Sequence, residues 1–293
     1  MAVGTDGSTP DESRRRLADE LKRVRQLSGL SGRDLADKIH ISQSKISRIE
    51  SGAAFPSLPE VRAWAEAVEA SDDTRRMLDA MAEAAHTTIL RWQSALKDRP
   101  HLQHSVEKDE RSARRVLTFQ PSVIPGLLQT AEYARRVFEM FQEPSYTPDR
   151  LAAAVTARLE RQSLLHDPRR RFNFLITEAA LRWRPSTTAM LAAQIDRISS
   201  LSTLGNVTVG VLPFSRQAAV PYSHGFTVYE PAEAEDDVLV NAETIHANLQ
   251  LVREADVAVY QRRWSALDRS ALHGDEARSV LQGLVVELRA TDG

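Results

Sequence analysis

The chain contains no cysteine. This absence excludes disulfide bonds, zinc sites built from thiolates and a cysteine nucleophile. No run of apolar residues approaches the roughly 18 that a membrane-spanning helix requires, so no transmembrane segment is predicted. Residues 1–16 lack the apolar stretch of a secretory signal peptide. We therefore expect a cytoplasmic protein without a membrane partner.

The composition is otherwise that of an ordinary globular protein. The 293 residues are enough for two domains. Hydrophobic residues make up 42% of the chain and charged residues 27%, which argues against a disordered chain. The net charge of −2 gives no overall sign of a nucleic-acid partner, so any such sign must come from a local stretch.

One stretch departs from this overall charge. Between Ser13 and Phe55 there are ten basic and five acidic residues, a local excess of five positive charges. By itself, such an excess is about as often a solvated face as a nucleic-acid surface. Here it coincides with two short amphipathic helices predicted within residues 30–55. That coincidence favours contact with phosphates.

The spacing of apolar residues in this stretch predicts two helices joined by a tight turn. Leu35 and Ile39 lie four apart in the first helix, and Ile46 and Ile49 lie three apart in the second. Ser42 stands where its hydroxyl can cap the second helix. The remaining positions of the second helix are polar. This layout is typical of a helix-turn-helix, whose second helix lies in the DNA major groove.

The same residues resemble the helix-turn-helix of Xre- and Cro-type repressors, which reads LSQxxLAxxxGxSxxxISxxExG. Two positions depart from that pattern. Gly32 replaces a glutamine that often fixes a phosphate, and His40 replaces the glycine of the turn, so His40 must adopt a positive φ. The matching residues are Leu30, Ser31, Leu35, Ala36, Ser42, Ile46, Ser47, Glu50 and Gly52.

The resemblance assigns roles to the polar residues. Gln43, Ser44 and Arg48 take the positions that face base edges, where glutamine can bridge adenine and arginine can bridge guanine. Lys45 and Ser47 reach phosphates or flank the base contacts. For each residue the alternative is a merely exposed polar side chain. Further phosphate candidates are Arg33, Ser42 and the backbone amides around Ser51 and Gly52. Because one module contacts one half-site, we expect a homodimer on a palindromic double-stranded DNA operator, associated with the nucleoid.

The pattern along the chain predicts a multidomain protein. A mobile tail (1–11) precedes an all-α helix-turn-helix domain (12–70) and a helical connector (71–110). Residues 111–293 are predicted to form an α+β domain with a small, mainly antiparallel sheet of about four strands. The antiparallel pairing is inferred from the short loop between GFTVYEP and DVLVNAET, two of the strand-like, valine-rich runs.

Four local expectations follow from the apolar and polar patterns. Leu27 is expected on the buried face of the first helix. One helix is predicted from Asp72 to Leu96, followed by an exposed polar junction over residues 97–115. A late helix is predicted from Ile245 to Leu267.

The C-terminal half also resembles a known family. The segments FQPSVIPGLLQTAEYARRVFE, RLERQSLL, ITEAALRW, VTVGVLPF and HGFTVYE are similar to a domain of unknown function that follows a helix-turn-helix in many regulators of high-GC bacteria. The antitoxin-like Scr1 and WhiJ group has this arrangement. The resemblance implies a transcriptional regulator, expected to be a repressor, with a small acidic partner protein encoded nearby.

Catalysis is not predicted. The sequence has no G-x-S-x-G elbow, P-loop or H-E-x-x-H motif, so we expect neither an enzyme nor a cofactor. His101 and His104 are close in sequence but lack a third nearby ligand, so no metal site is predicted.

The role of the C-terminal half is left open among three possibilities. It could bind the partner protein, with Arg169, Arg170 and Arg171 docking its acidic surface, although a solvated loop is the commoner explanation of such a basic run. It could sense a small molecule through Tyr222, His224 and Phe226, next to the start of a strand. The third possibility is an enzyme, which the absent motifs argue against. If the region bound neither a partner protein nor a small molecule, a purely structural role in dimerisation would remain.

Overall fold

The computed structural model describes residues 10–91, 99–140, 146–233, 237–244 and 247–291. The chain divides into two compact units, and each contains residues from both halves of the sequence. The first unit consists of Met1–Leu90, Glu233–Leu239 and Leu249–Val257. The second unit consists of Arg91–Ala232, Val240–Asn248 and Ala258–Gly293.

The first unit is mainly helical. Its elements up to residue 91 are α1 (Pro10–Leu27), α2 (Gly32–Ile39), α3 (Gln43–Glu50), α4 (Leu58–Ala67), α5 (Asp72–His86) and the strand β1 (Thr87–Arg91). Gly29 follows α1 with φ +75°, a left-handed conformation that glycine adopts without a Cβ clash. Ser57 and Glu60 form a capping box that starts α4, because each side chain accepts a bond from the backbone N–H of the other.

The apolar face predicted for the helix-turn-helix forms the core of this unit. The fully buried side chains are Leu17, Leu21, Leu35, Ile46, Ile49, Val61, Trp64 and Leu78. Val252, from the C-terminal half of the sequence, packs against the same core. Leu27 was expected on the buried face but is 73% exposed, because it lies in the last turn of α1, where the chain turns away at Gly29.

The helix expected from Asp72 to Leu96 ends earlier than predicted. α5 stops at His86, and Thr87–Arg91 is a strand that begins with two threonines and an isoleucine, residues that favour extended backbone. Trp92 and Leu96 lie outside the described residues. The polar stretch expected to be an exposed junction contains a helix, Arg99–Ser112, whose Glu110 is buried.

The remaining elements alternate between helices and strands. They are α6 (Arg99–Ser112), β2 (Ala113–Gln120), a 3-10 turn (Gly126–Leu128), α7 (Ala131–Glu139), α8 (Pro148–Arg161), a 3-10 turn (Gln162–His166), β3 (Arg171–Thr177), α9 (Glu178–Arg182), α10 (Thr188–Leu201), β4 (Val207–Leu212), β5 (Phe226–Pro231), β6 (Leu239–Glu243), β7 (Ala247–Leu251), α11 (Glu254–Ser270) and α12 (Gly274–Thr291). No described helix is long and apolar enough to cross a membrane.

The sheet of the second unit is mixed. Its strands lie in the order β6-β5-β2-β3-β4, with β2 parallel to β3, β3 parallel to β4 and β2 antiparallel to β5. Val116 therefore faces Phe172 on one side and Tyr229 on the other. The prediction of a mainly antiparallel sheet is wrong, because long helical crossovers connect β2 to β3 and β3 to β4, as parallel strands require.

The helix expected from Ile245 to Leu267 begins later in the structure. Ala247–Leu251 forms β7, which lies next to β1, and α11 starts at Glu254. Ile245 lies outside the described residues. Alanine, leucine and glutamine in this stretch favour helix locally, and pairing with another strand overrides that preference.

Candidate nucleic-acid interface

The turn between α2 and α3 has the geometry that the sequence predicted. His40 ends α2 in the left-handed conformation, with φ 58° and ψ 39°. The Ser42 hydroxyl then accepts a hydrogen bond of 3.1 Å from the backbone N–H of Lys45 and caps α3. At the start of α2, Ser31 and Asp34 form a capping box, and the bond from the Ser31 hydroxyl lowers the pKa of Asp34. Both helices therefore begin at defined residues, which fixes their separation along the chain.

α3 has one buried face and one polar face. Ile46 and Ile49 are buried in the core of the first unit. Residues four apart on a helix lie on the same side, so the polar pairs 43/47 and 44/48 project together. Among the predicted contact residues, Lys45 and Arg48 are partly buried. The exposed ones are Arg33, Ser42, Gln43, Ser44, Ser47 and Ser51.

Lys45 is paired within the protein. Its Nζ lies 2.9 Å from Oε1 of Glu60, and the two side chains are only 20% and 18% exposed. Burial opposes ionisation of Glu60, but bonds from Lys45 and from Ser57 outweigh it and lower the pKa of Glu60. The lysine that the sequence assigned to phosphates therefore has a carboxylate partner on α4.

A second ion pair joins α1 to the end of α3. Arg25 donates from Nε and Nη2 to the two carboxylate oxygens of Glu50, at 2.5 and 2.9 Å, and from Nη1 to the carbonyl of Leu30 at 2.8 Å. This two-point contact raises the pKa of Arg25 and places a cation next to the negative end of the α3 dipole. Arg25 was counted in the local excess of positive charge, but its guanidinium is bound to Glu50 and to the carbonyl of Leu30 within the first unit. The only signal in the sequence was the glutamate of the motif at position 50.

Asp237, which no sequence pattern singles out, lies beside the loop after α3. Asp237 accepts a hydrogen bond of 3.1 Å from the backbone N–H of Phe55. The guanidinium carbon of Arg14 lies 5.3 Å from the centre of the Phe55 ring, and Arg14 Nε is buried without a hydrogen-bond partner. Because 182 residues separate Asp237 from Phe55, no local pattern could have indicated this contact.

The predicted ligand residues of the C-terminal half come together in an aromatic cluster. The Phe119 ring lies 5.4 Å from Tyr222 and 5.5 Å from Phe226, between ring centres. Tyr260 adds a ring 5.0 Å from Phe226, and its hydroxyl lies 3.1 Å from Nε2 of His224. Phe119 is the register partner of Phe226, so the cluster lies at the carboxyl end of β2.

The three consecutive arginines do not form a uniform basic surface. Arg169 and Arg170 both pair with Asp167, at 2.9 and 3.2 Å. The side-chain bond from Arg169 is the main cause of a low pKa for Asp167, and the charge of Arg170 adds to it. Arg170 also donates to the carbonyls of Glu110 and Ala113. Two of the three cations are thus engaged within the protein, and Arg170 connects the loop before β3 to the end of α6 and the start of β2.

A buried ion pair in the second unit was missed by sequence reasoning. Arg161 donates two hydrogen bonds to the carboxylate of Glu110, at 2.9 and 2.5 Å, and both side chains are almost fully buried. The pair joins α8 to α6. Its two residues lie in segments that look polar and exposed when each is considered alone.

Two known protein families match this chain. Residues 103–283, more than half of the chain, match the family described as Domain of unknown function (DUF5753). The chain belongs to the DUF5753 family. Residues 16–78 of this DUF5753 protein match the family described as Helix-turn-helix domain, and that range contains both α2 and α3.

Similarity to individual proteins is much weaker. No curated protein matches the sequence at a significant level. One similar solved structure is TrmBL2, described as an archaeal chromatin protein with a novel mode of DNA binding. It is 11% identical with a TM-score of 0.31, and the similarity covers 68% of this chain and 60% of that chain. A TM-score this low does not establish a shared fold, so no property of TrmBL2 is assigned to this protein.

Proposed function

We propose that this DUF5753 protein is a sequence-specific DNA-binding transcriptional regulator of the Xre/Cro type, acting as a repressor in the cytoplasm at the nucleoid. One observation carries the proposal, namely the capped α2–turn–α3 unit that presents a polar face of α3 opposite its buried isoleucines. In such units the second helix lies in the major groove. The domain that reads DNA is residues 12–70.

The proposed contacts divide into base readers and phosphate binders. Gln43, Ser44 and Arg48 read base edges in the major groove. The remaining polar groups contact the phosphate backbone and set the register of the protein on the DNA. These phosphate-contacting residues are Arg33, Ser42, Lys45, Ser47 and Ser51. A homodimer on a palindromic operator follows, because one module covers one half-site.

Selection of bound sequences from a pool of random double-stranded DNA tests this function. We expect the full-length protein to enrich a palindrome whose half-sites lie about 10 bp apart, the spacing of one helical turn. Footprinting on the enriched sequence should then protect both half-sites. If no sequence is enriched, although the protein is folded, sequence-specific reading is refuted.

For residues 111–293 we propose a regulatory role through a small acidic partner protein, as in the Scr1 and WhiJ group. Support comes from the sequence resemblance of this region. The arginine run supports it less, because Arg169 and Arg170 are engaged with Asp167. Pull-down with the product of the neighbouring gene tests this role, and absence of binding by purified components refutes it.

The aromatic cluster favours a second candidate role, the sensing of a small molecule. Phe119, Tyr222, Phe226 and Tyr260 offer apolar surface, and His224 offers a polar group, at the edge where the parallel strands end. Ligands commonly bind at that edge in sheets of this kind. A thermal-shift screen of metabolites tests it, with Tyr222→Ala as the variant that should lose any shift.

A further inference from the structure

The contact between Asp237 and the loop after α3 lies within the first unit. Its atoms are a side-chain carboxylate oxygen and the backbone N–H of Phe55, 3.1 Å apart. Asp237 comes from the C-terminal half of the sequence, two residues before β6 begins at Leu239. A segment of the C-terminal half is thereby held against the helix-turn-helix domain.

The charges around this contact come from three elements. Arg14 on α1 and Lys45 on α3 attract the Asp237 carboxylate, whereas Glu60 on α4 repels it. Burial of the carboxylate by these neighbours is the largest effect and raises the pKa of Asp237 to about 6, although the residue as a whole is exposed. With all four groups ionised, the cluster is neutral.

The N–H group and the two cations near Asp237 are of the chemical types that commonly bind DNA phosphates in other proteins. Backbone N–H groups, arginine and lysine supply most protein contacts to the phosphate backbone. Here the N–H of Phe55 points at an anion, and Arg14 keeps a buried Nε without a hydrogen-bond partner. Without Asp237, the other three charged groups carry one net positive charge, which one phosphodiester would neutralise.

We propose that Asp237 is an internal substitute for a DNA phosphate, occupying an anion position formed by the Phe55 N–H, Arg14 and Lys45, and that DNA displaces it when α3 enters the major groove. The contact is therefore autoinhibitory. A change in the C-terminal half could therefore alter DNA binding directly, because the chain runs from Asp237 into β6. This inference rests on the proposed DNA-binding function.

Binding of the full-length protein to a fluorescent random-sequence duplex, measured across a salt series, tests the proposal. Asp237→Asn keeps a side-chain oxygen that can accept the bond from Phe55 but removes the charge. We expect it to bind about threefold or more tightly than wild type and to steepen the log–log salt slope by about 0.9, the value for one additional phosphate. The matched control is Glu233→Gln, which removes an exposed charge from the same segment and should bind as wild type does.

The experiment distinguishes a failure of the Asp237 proposal from a failure of the proposed DNA-binding function. If wild type binds no DNA even at low salt, the proposed function fails, and the inference fails with it. If wild type binds but Asp237→Asn behaves like Glu233→Gln, only the inference is overturned.

A second measurement does not depend on any variant. In wild type, we expect the backbone amides of Val238 and Leu239 to exchange with solvent faster when the duplex is added, because the Asp237 contact is released. Unchanged or slower exchange there, under conditions in which α3 gains protection, overturns the proposal.

Discussion

Arg25 and Glu50 form a two-point ion pair that fixes the last turn of α3 to α1. Their side chains are only 13% and 11% exposed. The position of α3, the proposed recognition helix, is therefore fixed in part by an ion pair inside the first unit.

Glu50→Gln should destabilise the helix-turn-helix strongly. The change leaves the charge of Arg25 without its partner, and breaking a largely buried pair costs about 3–5 kcal/mol. The backbone amides of Ile46 and Ile49 should exchange with solvent faster in the variant, and hydrogen exchange measures this loss of protection. Arg23→Ala is the matched control, because Arg23 pairs with Glu20 while 55% exposed, and such an exposed pair contributes little to stability. Equal effects of the two changes would contradict the structural role of the pair.

Arg48→Ala and Arg33→Ala should affect DNA binding in different ways. If Arg48 reads a base, its loss should weaken binding by about 1–3 kcal/mol and relax the preference at one base position. If Arg33 contacts a phosphate, its loss should weaken binding to all sequences alike and reduce the salt slope by about 1. Competition binding on a set of single-base operator variants distinguishes them. An unchanged base preference for Arg48→Ala would show that this arginine does not read the operator.

Asp237 should make stability depend on pH. Its pKa in the folded protein, about 6, lies above the usual value of about 3.9, so the folded state binds more protons than the unfolded state between these values. The free energy of unfolding contributed by this group therefore falls as pH rises from about 4 to about 6. The difference in melting temperature, Asp237→Asn minus wild type, should grow over that range and then level off. A difference that stays flat from pH 4 to pH 8 would rule out the raised pKa.

The buried pair of Arg161 and Glu110 should behave as a unit. Glu110→Gln or Arg161→Met alone should destabilise the second unit by about 3–5 kcal/mol, because each takes the opposite charge of this pair away from a buried group. The double variant should be less destabilised than the sum of the two single ones. Urea unfolding of the four proteins in a double-mutant cycle gives the coupling directly. Additive effects would mean that the two charges do not depend on each other.

A side chain at Gly210 should destabilise the protein. A Cβ at this position in β4 would lie 2.6 Å from Cδ2 of Leu175 and 2.7 Å from Cε1 of His273. Gly210→Ala is therefore expected to destabilise the second unit by about 1–3 kcal/mol through overpacking. Gly205→Ala is the control, because a Cβ there would meet nothing within 4 Å. Thermal unfolding of both variants measures the difference, and a melting temperature of Gly210→Ala equal to that of the control would contradict the packing.

The sequence by itself determined the helix-turn-helix, because every signal for it acts over one or two helical turns. The spacing of Ile46 and Ile49 places them on one face, and Ser42 reaches a backbone N–H only three residues away. The positive φ of His40 likewise follows from a single position in a short motif. Each of these interactions is complete within about ten residues, so the local pattern is enough to predict it.

Only the tertiary structure decided how the chain joins distant segments. The strands of the second unit were visible as valine-rich runs, but their directions depend on crossovers of many residues. The contacts of Asp237 with Phe55 and of Arg161 with Glu110 join residues 182 and 51 positions apart. No short pattern encodes such a pair, because its partners become neighbours only when the helices and strands between them have packed.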